Sequence, residues 1–103
     1  MTAPDTLARL EATIAARRGG DPDSSYVARL NARGLGKIAQ KLGEEGVETV
    51  IAALTEDDAA LVGEAADLLF HLAVVLKSRG LSLSRVADEL ARRHASSTGR
   101  AAQ

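Results

Sequence analysis

Apolar residues recur at intervals of three and four along most of the chain, and no segment alternates between apolar and polar residues. Such spacing is typical of amphipathic α-helices, whereas alternation would indicate half-buried strands. The clearest example runs from Lys37 to Leu54 and reads KIAQKLGEEGVETVIAAL, with apolar residues at positions 38, 42, 47, 50, 51 and 54. The pattern predicts an all-α protein with helices over residues 6–17, 25–33, 37–54, 57–79 and 83–94.

Short polar side chains and glycines mark where these helices begin and end. We expect Asp5 to cap the first helix and Ser82 to cap the last, and Gly80 to end the fourth. Thr55 followed by Asp58 resembles a capping box at the start of the fourth helix. Because only a tight turn near residues 55–57 separates the two long helices, we predict that they form an antiparallel hairpin.

Acidic residues in the two long helices lie at matching distances from this turn. Counted from Glu56, Glu48 and Glu64 each lie eight positions away. A second pair, Glu45 and Asp67, lies eleven positions away. At about 1.5 Å of rise per residue, the pairs lie about 12 Å and about 16 Å from the turn. The hairpin is therefore predicted to bring four carboxylates to one level on facing surfaces.

Four ionised carboxylates in one partly dry site repel one another and lose hydration, so either their pKa values rise or a cation compensates. Oxygen ligands, without Cys and with at most one His, favour Mg²⁺ or Mn²⁺. Glu44, four residues before Glu48, can join from the side. A solvated face is the alternative for GEEGVE, where Lys41 could pair with Glu45. That alternative suits the acids of GEAADLLFHLAVVL poorly, because apolar residues surround them.

Three further polar side chains lie near this predicted site. His71 follows Asp67 by four residues. It is either a hydrogen-bonded structural residue, or a functional residue that contacts a metal-ligating side chain or the substrate. Lys37 and Lys41 lie one turn apart on the helix that carries Glu45. They are either ordinary surface lysines or contacts to the phosphates of a substrate.

Composition and charge add two expectations. A chain of 103 residues without Trp, and with one Tyr and one Phe, has a small core, so we expect a homo-oligomer to complete it. The net charge is +3 over residues 1–43, −8 over 44–76 and +4 over 77–103. An acidic centre differs from the basic face that binds nucleic acid, and it suits a bound cation.

The chain is expected to form one domain over residues 1–94, followed by a disordered tail over 95–103. No apolar run reaches the roughly 18 residues that suggest a membrane span, and residues 1–18 lack the apolar core of a signal peptide. Without Cys, a reducing compartment is the natural location. We therefore expect a soluble, cytoplasmic protein without a membrane partner or a nucleic-acid partner.

The segments KLGEEGVE and EAADLLFHL resemble the EExxE and ExxD signature of the MazG-like all-α nucleotide pyrophosphatases. Within that superfamily, SYVARL at 25–30 and the GLSL turn at 80–83 make the chain most similar to the phosphoribosyl-ATP pyrophosphatase family of histidine biosynthesis. The resemblance covers about Leu7 to His94. Gly46 and Thr49 stand where that family is expected to have Ala and an apolar residue, but the acids are intact.

The resemblance implies a Mg²⁺-dependent hydrolase that cleaves phosphoribosyl-ATP between its α and β phosphates, yielding phosphoribosyl-AMP and pyrophosphate. It also implies a homodimer whose four-helix core comes from both subunits. The positions that match metal ligands are Glu45, Glu48, Glu64 and Asp67, with Glu44 accessory. Lys41, Ser25 and Tyr26 match segments near the substrate. One carboxylate, Glu44 or Glu45, would orient or deprotonate the attacking water.

Two other functions compete with this interpretation. A housecleaning pyrophosphatase of the same superfamily would act on ordinary or damaged nucleoside triphosphates. A helical dimerisation module would carry the same acids on a solvated face and would not respond to Mg²⁺. A di-iron carboxylate bundle fits less well, because that chemistry expects Glu-x-x-His pairs and neither acid pair ends in His.

Overall fold

The computed structural model describes residues 1–96, which form five α-helices and no strand. The helices are α1 (Ala3–Arg17), α2 (Tyr26–Arg33), α3 (Leu35–Thr55), α4 (Asp58–Ser78) and α5 (Leu83–Ser96). The predicted all-α class and the five predicted helices are confirmed. Helix α5 includes Ala95 and Ser96, the first two residues of the predicted tail, and the rest of that tail lies outside the described residues.

Two helix caps differ from the prediction. Helix α1 is capped by Thr2, whose hydroxyl accepts a hydrogen bond from the Asp5 N–H, while the Asp5 carboxylate accepts one from the Thr2 N–H. Helix α4 is capped by Asp57, which accepts a hydrogen bond from the Ala60 N–H at 2.9 Å. Thr55 is not available as a cap, because its hydroxyl donates to the carbonyl of Ile51 inside α3.

Helices α3 and α4 form the predicted hairpin. They are 21 residues long each, and only Glu56 and Asp57 lie between them. The Thr49 hydroxyl lies 2.7 Å from the Glu45 carbonyl of its own helix and 3.2 Å from the Glu64 carbonyl of α4. Thr49, which departs from the expected apolar residue, therefore links the two helices at the level of the acids.

A glycine turn places α2 beside the start of α3. Gly34 has a φ of +90°, a conformation that side chains other than glycine rarely adopt. It separates Arg33, the last residue of α2, from Leu35, the first residue of α3. The turn therefore brings basic residues at the end of α2 close to those at the beginning of α3.

The core lies at the end of the hairpin that is far from the α3–α4 turn. There α1 and α2 pack on the beginning of α3 and the second half of α4. The buried side chains of this cluster are Ile14, Val27, Leu30, Ile38, Ala73 and Val74. Near the α3–α4 turn, by contrast, large apolar side chains are exposed; we call this surface the apolar stripe, and it consists of Val47, Val50, Ile51, Leu54 and Val62.

Helix α4 is long and apolar enough, by length and composition alone, to cross a membrane, and most of it is not buried within one chain. One such helix is weak support for a span, because core helices of soluble proteins pass the same test. Glu64 and Asp67 lie near the middle of α4. Charged residues at that depth of a bilayer cost about 2.5 kcal/mol or more each, which disfavours a membrane position.

Candidate active site

Three carboxylates from the two hairpin helices converge on one point. Glu45 and Glu48 of α3 and Glu64 of α4 each offer an oxygen, and these three oxygens lie within 4.8 Å of one another. Glu45 is buried, Glu64 is partly buried and Glu48 is exposed, so the group opens to solvent on the Glu48 side. We call these three residues the carboxylate cluster. Their convergence agrees with the hairpin geometry predicted from the sequence.

The carboxylates of the cluster lie within range of one another's negative charge. Burial raises the pKa of Glu45, and proton sharing with Glu48 and the charge of Glu48 raise it further. Burial also raises the pKa of Glu64, followed by repulsion from Glu48. One oxygen of Glu45 and one of Glu64, each Oε2, are buried without a hydrogen-bond partner. Buried oxygens with this much negative charge nearby form a site that a small divalent cation fits.

Asp67, the fourth predicted ligand, lies outside this group. Its side chain is exposed, and it is absent from the set of oxygens that lie within 4.8 Å of one another. Its charge still helps to raise the pKa values of Glu45 and Glu64, so it lies within electrostatic range of both. Counting residues from the turn placed Asp67 level with Glu45 but did not define the direction of its side chain.

Glu44 contacts neighbours on its own helix. Its carboxylate lies 3.3 Å from the Lys41 ammonium and accepts a hydrogen bond from Gln40 at 2.9 Å. These two contacts lower the pKa of Glu44. Lys41 thus pairs with Glu44, and the alternative in which it pairs with Glu45 is wrong. Glu44 does not belong to the carboxylate cluster, although it is the next residue along the chain.

His71 connects α2 to the acidic part of α4. Its Nδ1 lies 2.8 Å from the Asp67 carbonyl, and its Nε2 lies 2.8 Å from the Tyr26 hydroxyl. Since a carbonyl can only accept, Nδ1 carries the proton and, in the neutral ring, Nε2 accepts from Tyr26. The ring is buried and packs edge-on against Phe70. His71 is therefore a hydrogen-bonded structural residue that positions Tyr26.

A basic cleft of about 240 Å³ adjoins this region. We call it the basic cleft, and it is lined by Tyr26, Arg29, Leu30, Arg33, Lys37, Lys41 and Glu44. Three of the predicted substrate contacts, Tyr26, Lys37 and Lys41, are among these residues. Ser25 is not, because its hydroxyl caps α2 by accepting a hydrogen bond from the Ala28 N–H. Two larger clefts, between α4 and α5 and between α1 and α5, contain no residue of the carboxylate cluster.

The sequence analysis did not single out Arg29 and Arg33. Their spacing of four residues within YVARLNAR is a usable signal, because it places both on one face of a helix. The same spacing separates Lys37 and Lys41. What could not be read from spacing was that the two pairs, which belong to different helices, line one cleft.

A helical hairpin that presents clustered carboxylates beside a basic cleft is suited to the hydrolysis of phosphate anhydrides. Comparison with known proteins identifies the family within this class. A family model described as Phosphoribosyl-ATP pyrophosphohydrolase matches residues 7–94. The chain belongs to this family, and it is an enzyme, a hydrolase. The family resemblance found in the acidic motifs is thereby confirmed.

Individual relatives agree with the family match. A phosphoribosyl-ATP pyrophosphatase of Erythrobacter litoralis is 70% identical over 89 residues, which are 86% of each chain. One of Novosphingobium aromaticivorans is 64% identical over 93 residues, or 90% of this chain and 87% of the relative. The histidine biosynthesis bifunctional protein HisIE of Photobacterium profundum is 54% identical over 88 residues, which are 85% of this chain and 42% of that longer protein.

Proposed function

We propose that this protein hydrolyses phosphoribosyl-ATP to phosphoribosyl-AMP and pyrophosphate in histidine biosynthesis, in the cytoplasm and with Mg²⁺ as cofactor. The observation that carries the proposal is the convergence of three carboxylates with two unpartnered buried oxygens, in a chain of this family. The housecleaning alternative is not favoured, because the relatives at 54–70% identity carry names that refer to histidine biosynthesis or to phosphoribosyl-ATP.

The residues present fit a magnesium ion. Glu45, Glu48 and Glu64 would hold it, with Asp67 at the edge, and all of these ligands are oxygens, which Mg²⁺ prefers and Mn²⁺ also accepts. The buried Oε2 atoms of Glu45 and Glu64 support this fit, since neither atom has a hydrogen-bond partner within residues 1–96. When bound, the ion supplies positive charge against the oxygens of a phosphate chain.

The remaining polar residues have separate tasks in this proposal. Lys37 and Lys41 bind substrate phosphates from the basic cleft. Of the two candidate bases, Glu45 lies inside the carboxylate cluster, whereas Glu44 lies beside it and is held by Lys41 and Gln40. A lowered pKa keeps Glu44 ionised and weakly basic, which suits orienting a water molecule more than removing its proton completely. Tyr26, held by His71, forms one wall of the cleft.

The apolar stripe supports a homodimer in which the two hairpins form a four-helix core. Its members are 48–79% exposed in one chain. Fully burying an exposed side chain of this kind contributes about 1.5–3 kcal/mol, so the partly exposed members of the stripe would each contribute a share of that, and covering them would complete the small core of the chain. A second copy presents the same stripe, and a two-fold axis would bring the stripes together.

The dimer is tested by substituting one member of the stripe and one matched residue elsewhere. Val50 in the stripe and Leu90 in α5 are both 59% exposed. We expect sedimentation to give a dimer for the wild type and for Leu90→Asp, and a monomer for Val50→Asp, because an aspartate in the interface is a buried unpaired charge. A monomeric wild type, or a dimeric Val50→Asp variant, would contradict the proposed interface.

The function is tested by measuring pyrophosphate release from phosphoribosyl-ATP with Mg²⁺ and with a chelator, beside a panel of deoxynucleoside triphosphates. We expect rapid release from phosphoribosyl-ATP only when the metal is present, and slow release from the panel. Equal rates on both types of substrate would favour the housecleaning function instead. No release from any of them would support the dimerisation module.

A further inference from the structure

The basic cleft holds more positive charge than its own residues neutralise. Its side chains include four cations and one carboxylate, Glu44, which is already paired with Lys41. The side chains of Arg33 and Lys37 make no hydrogen bond and no ion pair within residues 1–96, although the charge of Lys37 helps to lower the pKa of Glu44. Arg29 is better anchored, since its Nη1 donates to the Pro22 carbonyl at 2.9 Å and its guanidinium lies 5.7 Å from the centre of the Tyr26 ring.

This free charge lies at a distance from the carboxylate cluster. Lys37 precedes Glu48 by eleven residues in the same helix, which corresponds to about 16 Å along the axis. Lys41, one turn before Glu45, occupies the near end of the cleft. Arg33 lies beyond Lys37, on the far side of the Gly34 turn. The free cations are therefore at the end of the cleft that is remote from the acids.

The proposed substrate has anionic groups at two separate places. One is the triphosphate, and the other is the single phosphate of the second ribose, which the adenine and two riboses separate from the triphosphate. If the triphosphate is cleaved at the carboxylate cluster, the second phosphate must lie some distance away. ATP and the deoxynucleoside triphosphates lack that second phosphate, so a site for it would distinguish them from phosphoribosyl-ATP.

We propose that Arg33 and Lys37, supported by Arg29, bind the phosphate of the phosphoribosyl group and make the basic cleft the specificity-determining subsite. This inference rests on the function proposed above. Guanidinium groups bind phosphate through two parallel hydrogen bonds, and ammonium groups add a point charge. Helix α2 presents Arg29 and Arg33 from a fixed position, because Ser25 caps it and Tyr26 is hydrogen-bonded to His71.

Two ligands that differ in the phosphoribosyl group isolate this subsite. Calorimetry would measure the binding of phosphoribosyl-AMP and of AMP to the full-length chain in the presence of Mg²⁺. Both carry the adenosine 5′-phosphate, but only phosphoribosyl-AMP carries the second phosphate. The wild type is expected to bind phosphoribosyl-AMP more tightly than AMP. Equal binding of the two ligands by the wild type would overturn the proposed subsite.

Arg33→Ala is the decisive variant, because Arg33 has no structural contact to lose. It is expected to weaken the binding of phosphoribosyl-AMP about tenfold or more, which is the usual effect of losing a charge-assisted hydrogen bond, and to change AMP binding less than about twofold. Lys37→Ala should act in the same direction. Arg33→Lys should retain part of the affinity, because the charge remains while the paired hydrogen bonds are lost.

Arg9→Ala is the matched control, since it removes the same charge from an exposed position of α1 outside the cleft. It should leave the binding of both ligands unchanged. An equal loss of AMP and phosphoribosyl-AMP affinity in Arg33→Ala would overturn the subsite. So would unchanged phosphoribosyl-AMP binding. Phosphoribosyl-ATP hydrolysis by the wild type tests the proposed function separately. The enzyme can hydrolyse this substrate even if Arg33 does not bind its second phosphate.

Discussion

Glutamates in α5 and in the α3–α4 hairpin have opposite electrostatic environments. Glu89 of α5 accepts hydrogen bonds from Arg92 and Arg93, each with an Nε–carboxylate distance of 2.9 Å. These contacts lower its pKa to about 2. Glu45 and Glu64 of the hairpin have raised pKa values, caused first by burial and then by other carboxylates. Identical side chains are therefore stabilised as anions in one helix and destabilised as anions in the other two.

The difference follows from where the cations lie in the sequence. Arg92 and Arg93 follow Glu89 at spacings of three and four, so α5 neutralises its own acid. Residues 44–76 contain eight acids and no Lys or Arg, and Lys41, the nearest cation before them, pairs with Glu44, so the carboxylate cluster has no such partner on its own helices. A fold that keeps such a cluster loses stability unless something binds there. The contrast supports the proposal that the hairpin acids bind a cation, whereas the α5 acid is part of a helix surface.

The largest expected effect is on catalysis. Glu48→Gln and Glu64→Gln should each reduce the rate of pyrophosphate release from phosphoribosyl-ATP by about 100-fold or more, because each removes the charge of a carboxylate proposed to hold the Mg²⁺ that acts on the phosphates. Asp67→Asn, at the edge of the cluster, should reduce the same rate by about 10–100-fold, which is the usual effect of changing a residue that supports the metal ligands without binding the metal itself. The measurement is steady-state kinetics with saturating Mg²⁺.

Glu89→Gln provides the control for these variants, because it changes the same chemical group in α5. Its turnover should stay within about twofold of the wild type. If Glu64→Gln retained near-normal turnover, or if Glu89→Gln lost as much as Glu64→Gln, the distinction between the two regions would fail.

The second effect concerns thermal stability. Mg²⁺ should raise the melting temperature of the wild type, since a ligand at 100 times its Kd stabilises a folded protein by about 2.7 kcal/mol. In a chelator, Glu64→Gln should melt at a higher temperature than the wild type, because the substitution removes repulsion within the cluster. The same variant should lose most of the response to Mg²⁺. A Mg²⁺ response that is unchanged in Glu64→Gln would place the ion elsewhere.

The smallest effect is a pH dependence with opposite signs in the two regions. The pKa of Glu89 is lowered, so its stabilising contribution is present above about pH 4.5 and disappears as the pH falls towards about 2. The pKa values of Glu45 and Glu64 are raised, so in a chelator these two acids destabilise the folded protein at neutral pH. This destabilisation decreases as the pH falls towards the ordinary pKa of a glutamate.

Urea unfolding of the wild type, Glu89→Gln and Glu45→Gln between pH 3 and pH 7 would resolve the two contributions. The stability difference between the wild type and Glu89→Gln should shrink at low pH. The difference between Glu45→Gln and the wild type should be largest near neutrality. If Glu89→Gln and Glu45→Gln both stabilised the protein, or both destabilised it, relative to the wild type at pH 7, the two groups of acids would not differ as the structure indicates.

Much of the site could be predicted from spacing. Counting residues outward from Glu56 correctly predicted that Glu45, Glu48 and Glu64 lie close together, because two α-helices joined by a short turn have few ways to pack. Spacing did not predict that Asp67 would remain outside the group or that Glu44 would pair with Lys41. Both depend on side-chain directions that differ between successive residues of a helix, and on which partner each side chain reaches first.

The amino-acid sequence by itself determined the helical class, the hairpin and the excess of acid at its centre, because these depend on local periodicity, glycine and capping positions, and charge counts along the chain. Only the tertiary structure decided that Arg29 and Arg33 of α2 share a cleft with Lys37 and Lys41 of α3. It also decided that His71 holds Tyr26. These relations join residues of different helices, and they depend on how the helices pack rather than on any spacing within one of them.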